Sequence, residues 1–213
     1  MKNIIKGILF DLDGTILNTQ KMNIIPLQKL VLEELGKEIS YDNLIKYCAY
    51  PGKQTIKMLG FNDIEASYDK WVKYVNEFEE GAVLYEGFNE VFKYLYEKGI
   101  KIGIASSKMK KQYEIDFIPT KLDKYINCAV LAEDTALHKP NPEPLLLGAK
   151  LLNLNPENII YVGDTIADEI ASKKAGMKFA VASWGTTNLS EINADFILNE
   201  PQDILKLISI NLK

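Results

Sequence analysis

Two pairs of aspartates in this sequence each follow a short apolar run. Asp11 and Asp13 come directly after one near the N-terminus, and Asp164 and Asp168 follow another late in the chain. Carboxylate oxygens are the ligands that Mg²⁺ prefers, and the ion usually keeps several waters and takes phosphate oxygens as further ligands. The two pairs are therefore candidate ligands for a hard cation.

Two serines and a lysine also lie next to predicted strands or helices. Ser106 and Ser107 follow an apolar run that ends at Ala105, and Lys139 lies in a proline-rich turn before a helical pattern. In an open parallel sheet, ligands bind beyond the carboxyl ends of the strands. Together with the aspartates, these residues predict a site for a cation and a phosphate at one edge of a sheet.

The elements that must position these residues alternate between strand and helix. Short apolar runs predict strands at Ile4–Phe10, Ile100–Ala105, Ala129–Leu131, Ile159–Val162, Phe179–Ala182 and Asp195–Leu198. Amphipathic patterns between them predict helices, one of which begins near Phe88 and ends before Gly99. Strands alternating with helices predict an α/β fold with a doubly wound parallel sheet.

The region from residue 19 to residue 85 has helical patterns and little strand signal. Leu27, Leu30, Val31 and Leu35 form one apolar stripe, and a second includes Tyr68, Trp71, Val72 and Val75. We interpret this region as an inserted, all-helical domain. Residues 1–18 and 86–213 then form a Rossmann-like core.

Composition narrows the class of protein. The 213 residues are 47% hydrophobic, enough for a sizeable core, and 25 basic against 29 acidic residues give a net charge of -4. No basic block is present, so nucleic acid is not expected as a partner. No run approaches the ~20 apolar residues of a membrane span, and no signal peptide is recognisable. Cys48 and Cys128 are expected to be reduced thiols. We expect a cytoplasmic monomer or weak homodimer.

Four motifs make the chain resemble the haloacid dehalogenase superfamily, in its phosphatase branch with a helical cap (phosphoglycolate phosphatase and beta-phosphoglucomutase-like proteins). They occur in the expected order and cover essentially the whole chain. The motifs are FDLDGT at Phe10–Thr15, IGIASSK at Ile102–Lys108, HKPNPEP at His138–Pro144 and VGDTIAD at Val162–Asp168.

The resemblance implies a role for each matching residue. Asp11 would be the nucleophile that forms an aspartyl-phosphate, and Asp13 the general acid and then base. Mg²⁺ would be held by Asp11, the backbone carbonyl of Asp13 and Asp164, with Asp168 supporting the site through a metal-bound water. The phosphate would contact, by this resemblance, Ser106, Lys139, Gly14, Thr15 and Ser107.

Three further positions have less defined expectations. Lys53, in a cap loop, could read an anionic leaving group, although surface lysines are common. Trp184 is expected to pack in the core or at the rim of the site rather than contact substrate. His138, the only histidine, is given no catalytic role.

The implied activity is Mg²⁺-dependent hydrolysis of a small phosphorylated metabolite, such as a phosphoglycolate-like acid, a sugar phosphate or pyrophosphate. A phosphomutase of the beta-phosphoglucomutase type shares every core motif and stays open as the alternative. A dehalogenase is disfavoured because Asp13 supplies the acid that dehalogenation lacks. A non-enzymatic binding protein on the same fold would be expected to have lost part of the catalytic set, which here is intact.

Overall fold

The structure is a computed structural model that describes residues 4–50 and 52–210. The strands are β1 (Gly7–Phe10), β2 (Leu17–Asn18), β3 (Val83–Leu84), β4 (Lys101–Ala105), β5 (Cys128–Val130), β6 (Ile159–Gly163), β7 (Lys178–Ala182) and β8 (Phe196–Leu198). The α-helices are α1 (Gln20–Leu35), α2 (Tyr41–Ile45), α3 (Gly52–Leu59), α4 (Ile64–Asn76), α5 (Phe88–Glu97), α6 (Lys110–Asp116), α7 (Glu143–Leu152), α8 (Ile166–Ala175) and α9 (Asp203–Ile210).

Six strands form one parallel sheet in the order β5-β4-β1-β6-β7-β8. The central strands are continuously apolar because both faces of the sheet are covered. Leu9 belongs to a core cluster with Leu145 of α7, whereas the ring of Phe10 packs against Phe88 and Phe92 of α5. Successive side chains of a strand point to opposite faces, so helices cover both faces. The predicted doubly wound parallel fold is confirmed.

Several boundaries differ from the sequence-based expectations. β1 begins at Gly7 rather than Ile4, and β5 begins at Cys128 rather than Ala129. The helix α6 and the short strands β2 and β3, which pair as a separate two-stranded sheet, were not expected. Gly176 closes α8 in the left-handed conformation.

The chain divides into two compact units. The larger comprises Met1–Asn18 and Leu84–Lys213 and contains the six-stranded sheet, and the smaller comprises Thr19–Val83. In the smaller unit, α1 buries Leu27, Leu30 and Val31 in a core that α2 and α3 also line. Tyr68 and Trp71 of α4 pack against this core.

The apolar stripe predicted for α4 is only partly correct. Val72 of α4 is 37% exposed and lies outside the core of the smaller unit. Tyr74 packs against that core, and its hydroxyl donates to Glu33 of α1 at 2.6 Å. The buried face of α4 is thus built by large aromatic side chains with polar ends, which a purely apolar pattern does not identify.

Among residues 4–50 and 52–210, no helix is long and apolar enough to cross a membrane. Cys128 has a free, half-buried thiol, and burial raises its pKa to about 11, which keeps it protonated and unreactive at neutral pH. The predicted thiol of Cys48 lies outside the described side chains.

Candidate active site

The carboxyl ends of three adjacent strands, β4, β1 and β6, carry the predicted site residues Ser106, Asp11 and Asp164. The backbone N–H of Asp11 still donates to the carbonyl of Val162 at 2.9 Å, and that of Ser106 donates to Val130 at 3.0 Å. The ladder thus extends one residue beyond β1 and β4. Parallel pairing fixes the three side chains at one edge of the sheet.

Three carboxylates are brought together at this edge. Asp11, Asp164 and Asp168 can each place one oxygen within 4.8 Å of the others. All three residues are buried, with exposed fractions of 7%, 9% and 0%. Buried carboxylates at this separation repel one another strongly unless a cation lies among them.

Lys139 supplies one positive charge to the cluster. Its Nζ lies 3.0 Å from Oδ1 of Asp11 and 2.7 Å from Oδ1 of Asp168. Burial alone would lower the pKa of Lys139, but Asp11 and Asp168 outweigh it and hold that pKa well above its ordinary value. Burial would raise the pKa of Asp168. The charge of Lys139 and hydrogen bonds from Lys139 and Thr165 outweigh this effect and lower that pKa below its ordinary value.

One lysine does not neutralise three carboxylates, and the remaining pKa shifts reflect this. Burial raises the pKa of Asp11 to about 6; Lys139 opposes the rise, while Asp168 and Asp13 add to it. Burial also raises the pKa of Asp164 well above its ordinary value, with Asp168 and Asp11 adding to the effect. The uncompensated negative charge is therefore concentrated on Asp11 and Asp164.

Mg²⁺ fits this donor set. Within the described part of the chain, the buried Oδ1 of Asp11 has no hydrogen-bond partner, because its contact with Lys139 is an ion pair without hydrogen-bond geometry. Asp11 and Asp164 offer hard oxygen ligands with excess negative charge. An ion there would satisfy the orphaned oxygen and relieve the repulsion.

Asp168 has little free capacity to bind a metal. One of its oxygens accepts from Lys139 and lies 3.1 Å from the Tyr161 hydroxyl oxygen. The other accepts from the Thr165 hydroxyl at 2.6 Å and from the backbone N–H groups of Thr165 and Asp164. Asp168 therefore caps α8 and orients its neighbours in the site.

Asp13 belongs to a second charged network. Its side chain is 40% exposed, and its Oδ1 lies 3.0 Å from Nζ of Lys108. Lys108, only 6% exposed, also contacts the buried Asp116 at 2.5 Å, and Gln112 donates to both oxygens of that carboxylate. Burial would lower the pKa of Lys108, but Asp13 and Asp116 raise it above its ordinary value. Sequence reasoning had given Lys108 no role.

The turn after β1 is tightly packed. Gly14 has a φ of 76°, and a Cβ there would lie 2.2 Å from Oδ2 of Asp164, so both conformation and space favour glycine. The Gly14 and Thr15 N–H groups donate to the carbonyls of Leu17 and Leu12. The Thr15 hydroxyl donates to Oδ1 of Asp164 at 3.2 Å. These groups serve the turn and Asp164, and the phosphate contacts expected of Gly14 and Thr15 remain predictions.

Trp184 fixes the same turn from the loop after β7. Its indole N–H donates to the Thr15 carbonyl at 2.9 Å, and its ring packs edge-on against Tyr85 and Phe88. This placement agrees with packing at the rim rather than with substrate contact.

The other residues singled out in the sequence differ in exposure and in their contacts. Ser106 is 5% exposed, and its hydroxyl accepts from the Lys108 N–H at 3.3 Å, whereas Ser107 is exposed. Lys53 lies in the first turn of α3 rather than in the expected loop, and it is exposed and forms an ion pair with Glu65 at 2.6 Å. His138 is exposed.

Tyr161 is a site residue that sequence reasoning missed. It lies in the middle of β6 and is fully buried, yet its hydroxyl reaches the Ala105 carbonyl, Lys139 and Asp168. The only signal in the sequence was a polar-tipped aromatic residue within an otherwise aliphatic strand.

A family comparison agrees with this geometry. Residues 8–182 match the family model described as haloacid dehalogenase-like hydrolase. The chain belongs to the haloacid dehalogenase-like hydrolases. The match spans both aspartate pairs, Ser106 and Lys139. The predicted membership of this superfamily is confirmed.

Two relatives of this hydrolase align with it over nearly the whole length of both chains. A pyrophosphatase PpaX from Anoxybacillus flavithermus is 27% identical over 210 residues, covering 97% of this chain and 98% of that protein. A pyrophosphatase PpaX from Bacillus cereus is 28% identical over 209 residues, covering 96% and 97%.

Solved structures share the fold. A candidate phosphoglycolate phosphatase from Lactobacillus plantarum superposes with a TM-score of 0.85 at 24% identity, covering 96% of this chain and 99% of that one. A candidate beta-phosphoglucomutase from Thermotoga maritima superposes with a TM-score of 0.78 at 21% identity, covering 97% and 99%. The fold is therefore common to proteins named for different reactions.

Proposed function

We propose that this hydrolase is a Mg²⁺-dependent phosphatase that acts on a small phosphorylated compound through an aspartyl-phosphate on Asp11. An oxygen of Asp11 attacks phosphorus, and the bond from phosphorus to the leaving oxygen breaks as Asp13 protonates that oxygen. Water then attacks the phosphoryl group, Asp13 takes its proton, and inorganic phosphate leaves as the Asp11 carboxylate is restored.

The observation that carries this proposal is the buried arrangement of Asp11, Asp164 and Lys139 with an unpartnered oxygen on Asp11. A nucleophilic carboxylate must be accessible to phosphorus, and its charge must not repel the incoming phosphate. Lys139 and a cation both reduce that repulsion, and electrostatic stabilisation of this kind dominates phosphoryl transfer.

Asp11, Asp164 and the Asp13 carbonyl would hold the ion, with Asp168 supporting them through a metal-bound water. When bound, Mg²⁺ would neutralise charge on the phosphoryl oxygens. Ser106 would donate its hydroxyl to a phosphoryl oxygen. The unit Thr19–Val83 would act as a cap that limits the entry of water and reads the leaving group, with Lys53 as a candidate contact.

Pyrophosphate is the first substrate to test because the curated relatives are named pyrophosphatases. Phosphoglycolate and sugar phosphates come next, since the chemistry at Asp11 is the same for each. A phosphomutase would instead interconvert a sugar phosphate without net release of phosphate. The same panel therefore separates the two activities.

The test is release of inorganic phosphate from an aryl phosphate, pyrophosphate and a panel of phosphorylated metabolites, with Mg²⁺ or with EDTA. We expect Mg²⁺-dependent turnover by the full chain. Asp11→Asn should lower kcat by at least about a thousandfold, because the amide has nearly the same shape but is a poor nucleophile.

Asp69→Asn is the matched control, since Asp69 is exposed on α4 in the smaller unit. It makes the same chemical change and should leave kcat within about twofold of the wild type, as surface substitutions usually do. Turnover that survives in Asp11→Asn, or that is equal in Mg²⁺ and EDTA, would contradict the proposal.

A further inference from the structure

The ammonium group of Lys139 has three protons and three neighbours within the buried site. It donates to Oδ1 of Asp168 at 2.7 Å and to the hydroxyl of Tyr161 at 3.0 Å. Its third contact, with Asp11 at 3.0 Å, lacks hydrogen-bond geometry. Two fixed acceptors thus determine the direction of the third N–H, which is the one left for the nucleophile and an incoming phosphoryl oxygen.

The hydroxyl of Tyr161 is itself held in one orientation. It has a single proton, and the carbonyl of Ala105 accepts from it at 2.8 Å, closer than Asp168 at 3.1 Å. Donation to Ala105 leaves an oxygen lone pair facing Lys139. The residue is fully buried and its ring stacks on Phe179, so little freedom remains for the hydroxyl to move away.

We propose that Tyr161 is a positioning residue that aims the Lys139 ammonium at the bound phosphate, a role that rests on the function proposed above. Asp168 alone would allow the ammonium to rotate about one hydrogen bond, and a second acceptor removes that freedom. Because Tyr161 is neutral, it orients the lysine without consuming the positive charge that the phosphate requires. A second carboxylate at this position would weaken the attraction for the anion.

The test uses the full chain with saturating Mg²⁺ and inorganic phosphate as the probe, with binding measured by calorimetry. Tyr161→Phe removes only the hydroxyl oxygen and should raise the Kd for phosphate about tenfold, in the range of one hydrogen bond to a charged group. The kcat/KM on the best substrate should fall by a similar factor. Tyr125→Phe removes a hydroxyl from a half-buried ring that packs on Tyr96, and it should change neither quantity.

A purely structural role for Tyr161 predicts a different result. Loss of a buried hydroxyl would lower the unfolding temperature, but a Kd describes the folded molecules alone and would stay at the wild-type value. A Kd and a kcat/KM within twofold of the wild type in Tyr161→Phe would therefore overturn the proposal.

A second comparison tests whether Tyr161 acts through Lys139. Lys139→Met removes the ammonium that needs the hydroxyl as an acceptor, so Lys139→Met and Lys139→Met/Tyr161→Phe should bind phosphate equally weakly. A further tenfold loss in the double variant would mean that Tyr161 acts independently of Lys139, against the proposal.

The outcomes also separate this inference from the proposed function. Wild-type protein that binds phosphate but hydrolyses nothing would contradict the phosphatase and leave the role of Tyr161 intact. Active wild type with an unchanged Tyr161→Phe variant would contradict the positioning role alone. Wild type that binds no phosphate would contradict both.

Discussion

At the scale of single residues, two buried lysines divide the charged groups of the site. Lys139 contacts the nucleophile candidate Asp11 and the helix cap Asp168, whereas Lys108 contacts the acid–base candidate Asp13 and the buried Asp116. Each lysine thus links a functional carboxylate to a structural one. The structural partner anchors the lysine, and the lysine in turn restricts the functional side chain.

Lys108 can be tested as the residue that holds Asp13. Lys108→Met should lower both stability and activity, because it leaves the Asp116 carboxylate, whose side chain is 2% exposed, with only Gln112 as a side-chain partner. The double variant Lys108→Met/Asp116→Asn removes that buried charge. It should recover most of the unfolding temperature, yet retain about a tenfold deficit in kcat/KM because Asp13 is no longer restrained.

Thermal unfolding and steady-state kinetics on the two variants distinguish the effects. Wild-type kcat/KM in the double variant would show that Lys108 serves the fold alone.

The sequence predicted the ionisable residues that belong to recognisable motifs. It missed the site residues that look like ordinary core or surface residues. Asp11, Asp164 and Lys139 were expected together, and the structure places them together. Tyr161 is indistinguishable from a core aromatic residue until its hydroxyl is seen to face three polar groups. Lys108 resembles an exposed lysine until α6 is seen to bring Asp116 against it.

At the scale of elements, two loops meet at the turn that follows β1. Gly185, after β7, approaches the backbone of Gly14 so closely that a Cβ on Gly185 would lie 1.7 Å from the Gly14 carbonyl oxygen. Gly14 in turn lies against the carboxylate of Asp164. Any side chain at Gly185 must therefore displace the turn that separates Asp11 from Thr15.

Gly185→Ala should lower kcat/KM by at least about tenfold, because a displacement near 1 Å of reacting groups can cost as much as a hundredfold. Its unfolding temperature should also fall. Gly148→Ala is the control: its Cβ would meet only flexible Leu9 side-chain atoms, the nearest at 2.9 Å, and alanine favours the helix α7. Equal activity in the two variants would mean that the turn tolerates displacement.

Elements were predictable where burial imposes a pattern. The six strands of the large sheet were all expected because each lies in a short apolar run, and the central strands are buried between helices. α6 was missed because Asp116 is its only buried residue, so the helix has no apolar stripe to recognise. β2 and β3 have two residues each, too few for a period of two to appear.

At the scale of the whole molecule, burial of the ionised Asp11 carboxylate lowers the free energy of unfolding. Asp11 has an ordinary pKa of 3.8 and a folded-state pKa of about 6, with burial as the largest cause. The folded protein therefore binds a proton more tightly at Asp11 than the unfolded chain does. As the pH rises from about 4 to about 6, the unfolded chain ionises first, and the free energy of unfolding falls.

This linkage predicts that Asp11→Asn is more stable than the wild type when metal is absent. In EDTA at pH 7.5 the gain should be about 3 kcal/mol, from a pKa difference of roughly two units at 1.36 kcal/mol each. At pH 3.5 the difference should be small, because Asp11 is then mostly protonated in both states. Mg²⁺ should reverse the order at pH 7.5, since it stabilises only a folded state that retains its ligands.

Thermal unfolding of both proteins from pH 3.5 to 8, in EDTA and in Mg²⁺, measures all three effects. A gain that is independent of pH, or one that Mg²⁺ leaves unchanged, would mean that the charge on Asp11 is not the source of the instability.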